Sequence, residues 1–137
     1  MNERSVRTIY RITTGVVCAV AAFSAVNFSL AHPIGPGNFG PGGAFTHLGL
    51  PRWFKLELTS AKILGVLAFL LPGVPRKAKE FAYFGFGLTF VSASIAHASS
   101  GDAIWLRLDP LIFFAVLLVS YLSFHRLRRA SRVAGVS

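Results

Sequence analysis

Apolar residues gather in four runs along the chain, separated by stretches that are basic, polar or rich in glycine and proline. The runs cover residues 12–31, 54–71, 80–98 and 104–124. At about 1.5 Å per residue, 18 to 20 helical residues span roughly 27–30 Å, the thickness of a hydrocarbon core. In the last run Leu111–Phe124 is short for a full crossing, and it either tilts little or borrows Ala103 to Leu106 as an interfacial lead-in. Within that run, Asp109-Pro110 reads as a helix start, an Asp cap followed by proline at the first helical position. This pattern predicts an all-α membrane protein: one domain, residues 1–137, built as an antiparallel four-helix transmembrane bundle. A cleavable signal peptide is the alternative for the first run, since Ser29-Leu30-Ala31 resembles a cleavage site. Its apolar region exceeds the usual ~7–15 residues of such segments.

The connections set the orientation. Residues 32–52 form a Gly/Pro-rich loop whose composition breaks helix and strand alike. Its last part, Phe45 to Pro51, is expected to fold back over the bundle mouth or lie in the interface. Pro72-Gly73-Val74-Pro75 stops the second run. Ten Lys and Arg flank the amino end, the 72–80 connection and the tail, against three (Arg52, Lys55 and Arg107) on the opposite connections. Basic residues favour the cytoplasmic side, so both termini are expected in the cytoplasm and loop 32–52 outside.

One run, WFKLELTSAKILGVLAFLL from Trp53 to Leu71, carries charges that a span does not tolerate without compensation. Lys62 falls near its midpoint and Glu57 about one turn from its start. A charged group at the centre of a bilayer costs from ~2.5 to ~17 kcal/mol, depending on the measurement, so such groups face protein or water. Glu57 and Lys62 stand about 140° apart around the helix. Ala61, Gly65 and Ala68 lie between them, and this small-residue arc is expected to look into the bundle. The topology brings Glu57, His97, His47, Asp102 and Asp109 to the outer side, with Lys62 beneath. His97 is the expected partner of Glu57, and Glu57 or Asp109 the expected counter-charge of Lys62. Two readings stand side by side: a polar site that binds a ligand or relays protons, or a buried ion pair that fixes helix register. Phe86 and Phe90 share a face with His97, and either line a slot for a quinone ring or face lipid.

Composition narrows the function classes. The chain is 53% hydrophobic and 14% charged, which places it in the membrane class. The net charge of +9 is explained by basic residues abutting apolar spans, and nucleic acid is not an expected partner. The bilayer is, with anionic lipids opposite the cytoplasmic arginines. Cys18 is the single cysteine, which excludes an intrachain disulfide, a CxxC redox pair and a cysteine-built zinc site. No metal site is expected from the histidines, and no phosphate-binding loop, dinucleotide fingerprint or serine-nucleophile elbow is present.

The chain resembles the DoxX-like family of small four-helix membrane proteins. The matching pieces are His47-Leu48-Gly49-Leu50-Pro51, Glu57, Ala61-Lys62-Ile63-Leu64-Gly65, Leu71-Pro72-Gly73, Lys79-Glu80-Phe81-Ala82-Tyr83-Phe84-Gly85 and Ala96-His97. The resemblance implies a multi-pass protein of the bacterial cytoplasmic (inner) membrane. It further implies a membrane subunit or partner of a quinone-linked sulfur or oxidative-stress redox system, with quinone as the one cofactor in view and a soluble redox enzyme as partner. The alternative it leaves open is a non-enzymatic accessory or assembly protein. Whether the chain itself catalyses anything, and whether it forms homo-oligomers, also stay open at this point.

Overall fold

The structure, a computed structural model, describes residues 2–30, 34, 39–40 and 42–134. Most of the Gly/Pro-rich stretch from 31 to 41 therefore lies outside the described residues. Every regular element among those described is a helix: α1 (Glu3–Ser29), α2 (Gly43–His47), α3 (Arg52–Leu70), α4 (Arg76–Ser99) and α5 (Ile104–Ala134).

The long helices overrun the apolar runs at their basic ends. α1 begins nine residues before Ile12, and α5 continues ten beyond Phe124. Hydropathy marks the part of a helix that suits lipid, and the helix itself ends where its backbone is capped. The Asn2 side chain accepts from Ser5 N at 2.8 Å and so starts α1. Arg7 pairs with Glu3 at 2.7 Å and Arg76 with Glu80 at 2.6 Å, both one turn apart, supporting the polar first turns of α1 and α4.

The expected start at Asp109-Pro110 is corrected. α5 is already helical at Ile104, and Pro110 lies inside it, where the ring removes one backbone donor. The turn upstream is held by other bonds, from Arg107 Nε to the Asp102 carbonyl and from Ser94 Oγ to the Arg107 carbonyl, each 2.6 Å. Asp109 is therefore a mid-helix residue, exposed to the outside.

Glu3–Phe28, Arg76–Ser99 and Ile104–Val133 are long and apolar enough to cross a membrane. α3 has 19 residues, but Lys55, Glu57 and Lys62 keep it out of that set. α1 packs on α3 and α5, and α4 packs on the same two helices. The core draws Val17, Cys18 and Ala21 from α1, Phe69 from α3, Tyr83, Phe86 and Phe90 from α4, and Leu117 and Phe124 from α5. Phe86 and Phe90 thus belong to the core and face neither lipid nor a slot beside His97. Large apolar side chains also cover the outside, with Phe81 at 76%, Phe84 at 70% and Leu64 at 67% exposure. An apolar exterior of this kind fits lipid contact and marks a membrane protein.

Two contacts fix how the helices meet. Gly65 lets α3 approach α4 so closely that an added Cβ would stand 2.6 Å from the Phe86 ring. Ser120 of α5 is fully buried, with its Oγ 2.6 Å from Thr14 Oγ1 of α1 and 2.8 Å from the Tyr83 hydroxyl of α4. Three hydroxyls satisfy one another there, which is how polar groups are carried between helices away from water.

Candidate functional site

The polar site is assembled from the short helix α2 and the turn between α4 and α5. Left-handed glycines bound α2, Gly42 at φ 89° before it and Gly49 at φ 67° after it. They let the chain drop one side chain inward, and Phe45 is buried edge-on against Phe28 of α1 at 4.5 Å between ring centroids. The Phe54 ring of α3 lies 6.3 Å from Phe45 on the other side. The fold-back expected for the end of the loop is realised as this plug.

One carboxylate joins the plug to the long helices. Asp102 Oδ1 is 2.7 Å from His47 Nε2, at the end of α2, and its Oδ2 is 2.6 Å from His97 Nδ1, near the end of α4. Gly101, at φ 72°, turns the chain after α4, and Asp102 N donates back to the His97 carbonyl at 3.1 Å. The Phe39 ring stacks over both imidazoles, 4.6 Å from His47 and 5.8 Å from His97. Asp102 and His97 are largely covered, with side chains 9% and 12% exposed, whereas His47 is 34% exposed.

The hydrogen bond from His97, reinforced by that from His47, holds the Asp102 carboxyl below the usual carboxylate range. An ionised carboxylate only accepts, so the nitrogen of each ring that faces it carries a hydrogen. In the neutral form of each ring the lone pair is then on His47 Nδ1 or His97 Nε2. Each is the free end of a carboxylate-backed imidazole, an arrangement able to take up and return a proton. The two nitrogens aim at different oxygens of Asp102, and among the described residues no group of three His, Cys, Asp or Glu is placed to hold an ion.

The other residues picked out by sequence fall differently. Glu57 is exposed and makes no hydrogen bond or ion pair among the described residues, so it is not the partner of His97. Asp109 is exposed and likewise unpaired. Lys62 is buried at 8% exposure, but among the described residues no carboxylate lies within 4.0 Å of it. Its amine donates to Ser24 Oγ of α1 at 2.7 Å and sits 4.0 Å from the Phe28 ring centroid. The reason is rotational. The inward face of α3 is Lys62, Gly65 and Phe69, centred about 40° from the arc between Glu57 and Lys62. Lys62 comes onto the buried face and Glu57 leaves it.

Sequence reasoning did not foresee Phe39 over the imidazoles, Ser24 under Lys62, or the Thr14–Ser120–Tyr83 group. Hydroxyl residues inside apolar runs were the available signal, yet which of them meet depends on helix rotation. No curated protein and no solved structure gives a significant match to the chain. The model of the DoxX-like family matches residues 12–120, most of the sequence and every residue placed at the site, and the chain belongs to that family.

Proposed function

We propose that this DoxX-like membrane protein crosses the bacterial inner membrane four times and serves as the membrane subunit or partner of a quinone-linked redox system. In this reading α3 is the fourth span, the helices form an antiparallel bundle, and both termini are cytoplasmic. Contacts in opposite order support the bundle: Tyr10 with Phe124 and Thr14 with Ser120, then Phe69 with Tyr83 and Gly65 with Phe86. The asymmetry of basic residues supports the orientation.

The observation that carries the redox reading is the imidazole pair bridged by Asp102 beneath the Phe39 ring. A quinone supplies two-electron chemistry coupled to two protons. The residues here fit the proton side of it: an aromatic face for a planar ring and two ring nitrogens free to exchange protons. His97 Nε2 and His47 Nδ1 would hold those protons. Asp102 would keep each ring in one tautomer and stabilise the charge when a proton arrives. Electrons would pass to or from a soluble redox partner.

The test is purification from membranes followed by extraction and quantification of bound quinone. Quinone is expected with the parent protein and at least tenfold less with His97→Asn or Asp102→Asn. Equal quinone in all three, or none in a folded parent, would sink the reading. Reporter fusions at Gly43, Arg76 and the carboxyl end check the topology, and an external signal at Arg76 would overturn it.

A second reading, a non-enzymatic accessory that assembles a partner, draws on the basic end. Arg4, Arg7 and Arg11 of α1 and Arg126, Arg128, Arg129 and Arg132 of α5 are all exposed where those helices outrun the apolar stretches. A partner that still co-purifies when quinone is absent from every variant would favour it.

A further inference from the structure

Lys62 is a buried amine for which the described residues supply no counter-charge. The sequence holds five acidic residues, and all of them are among the described residues. Glu3 pairs with Arg7, Glu80 with Arg76, and Asp102 with the two histidines. Glu57 and Asp109 are exposed, and none of the five comes within 4.0 Å of the Lys62 amine. Buried charges are as a rule paired, because a lone one costs several kcal/mol.

A second group at the same place has a donor to spare. Thr8, Thr13, Thr59, Thr89, Ser99 and Ser131 each donate their hydroxyl to a carbonyl one turn back on their own helix. Ser24 does not. Its Oγ accepts from Lys62, and its own O–H has no acceptor among the described residues. A lysine amine has three N–H donors, of which Ser24 takes one and the Phe28 face attracts the charge. An N–H and an O–H are thus left on neighbouring heavy atoms 2.7 Å apart.

The level of the pair follows from the helices. The Lys62 Cα lies roughly 15 Å along α3 from Arg52, while Ser24 is only roughly 7.5 Å from the end of α1. The lysine therefore climbs towards the loop end but stops inside protein, at the Phe28 ring, against which Phe45 packs edge-on. Above it is α2, held between left-handed glycines and fastened through His47.

We propose that Lys62 and Ser24 form a binding site for a carboxylate carried on an apolar body, closed from the loop end by α2. Two adjacent donors match the two oxygens of a carboxylate. One ammonium neutralises one negative charge, and the surrounding rings suit a hydrocarbon or aromatic body. A phosphate ester brings more oxygens than these donors can satisfy. The site is distinct from the imidazole pair and does not depend on the quinone reading.

The experiment is equilibrium binding of radiolabelled palmitate to the purified protein in phosphatidylcholine nanodiscs, with benzoate as competitor. Saturable binding of one palmitate per chain is expected, weakened at least tenfold by Lys62→Met and several-fold by Ser24→Ala. Glu57→Gln and Asp109→Asn should leave it unchanged, and the quinone reading is tested on His97 and Asp102, so the two failures are read on different variants. Undiminished binding by a Lys62→Met protein that melts like the parent would overturn the proposal. So would the absence of saturable binding to a folded parent. Displacement by phosphatidylglycerol at equal mole fraction would reassign the donors to lipid phosphate and overturn the carboxylate.

Discussion

Asp102 Oδ2 lies 2.6 Å from His97 Nδ1, five residues earlier in the chain, and the same carboxylate reaches His47 in a different part of the sequence. A local turn thereby becomes a long-range fastening. The α4–α5 connection holds α2 in place, and α2 holds Phe45 over the interior.

That fastening has a defined pH dependence. The Asp102 pKa is depressed in the folded protein, chiefly by the His97 hydrogen bond. A depressed carboxylate pKa contributes stability above its unfolded value of about 3.9 and loses it as pH falls through the folded value. As far as Asp102 decides it, α2 should stay docked from pH 7 to 5 and detach only below about pH 4. Spin labels at the exposed positions Thr46 and Ser100 measure this as a distance. Asp102→Ala should lengthen or broaden that distance at pH 7. An unchanged distribution in the variant would show that Phe45 alone docks the plug.

Ser120 is the hinge of a three-residue hydroxyl group, and its removal strands two partners. Ser120→Ala leaves Thr14 and Tyr83 without their shared neighbour, which should cost about 1–3 kcal/mol of unfolding free energy. In a double-mutant cycle with Tyr83→Phe, the double variant should lose less than the two single losses together. Strict additivity in equilibrium unfolding would mean the two hydroxyls do not interact.

Gly65 is required by contact, since its backbone is helical and would accept other residues. A Cβ there meets the Phe86 ring at 2.6 Å, and Phe86 is itself packed between Phe69 and Phe90. Gly65→Ala should therefore destabilise by about 1–3 kcal/mol, as overpacking does. Phe86→Leu in the same chain should recover part of it. A thermal melt of Gly65→Ala that matches the parent would show that α3 and α4 can separate without cost.

The helical class and the membrane setting were legible because lipid imposes a coarse rule: long apolar runs with charges at the ends. The gathering of His47, His97 and Asp102 at one end was legible for a similar reason, since topology alone decides which connections share a side. The pairings were not. His97 was matched to Glu57 because both sat at that end, but whether Glu57 points inward depends on a rotation of about 40°, less than the arc between successive residues. Ala61 and Ala68 lie within about 50° of the expected centre and about 70–90° from the observed one, so the small residues favoured the rotation that α3 does not adopt; only Gly65 lies on both faces. Asp109-Pro110 misled for a different reason. A capping signal is local, and the bonds of Ser94 and Arg107 carry the helix past it.

The stability of a Lys62 variant separates two pictures of that residue. If Lys62 were one half of an ion pair, Lys62→Met would strand a buried carboxylate and destabilise the fold by about 3–5 kcal/mol. The geometry predicts the opposite. The amine has a hydroxyl and an aromatic face and no acid beside it. Methionine keeps the length of the side chain and removes the buried charge, so Lys62→Met should be at least as stable as the parent, by up to about 3 kcal/mol. Glu57→Gln should change stability little, because Glu57 is exposed, and the two substitutions should be additive. Ligand-free protein in phosphatidylcholine nanodiscs is the proper sample. Any bound acid would stabilise the parent alone, and that extra stability would rise with acid concentration. A lower Tm for Lys62→Met without ligand, rescued by Glu57→Gln, would restore the ion pair and remove the basis for an external anion.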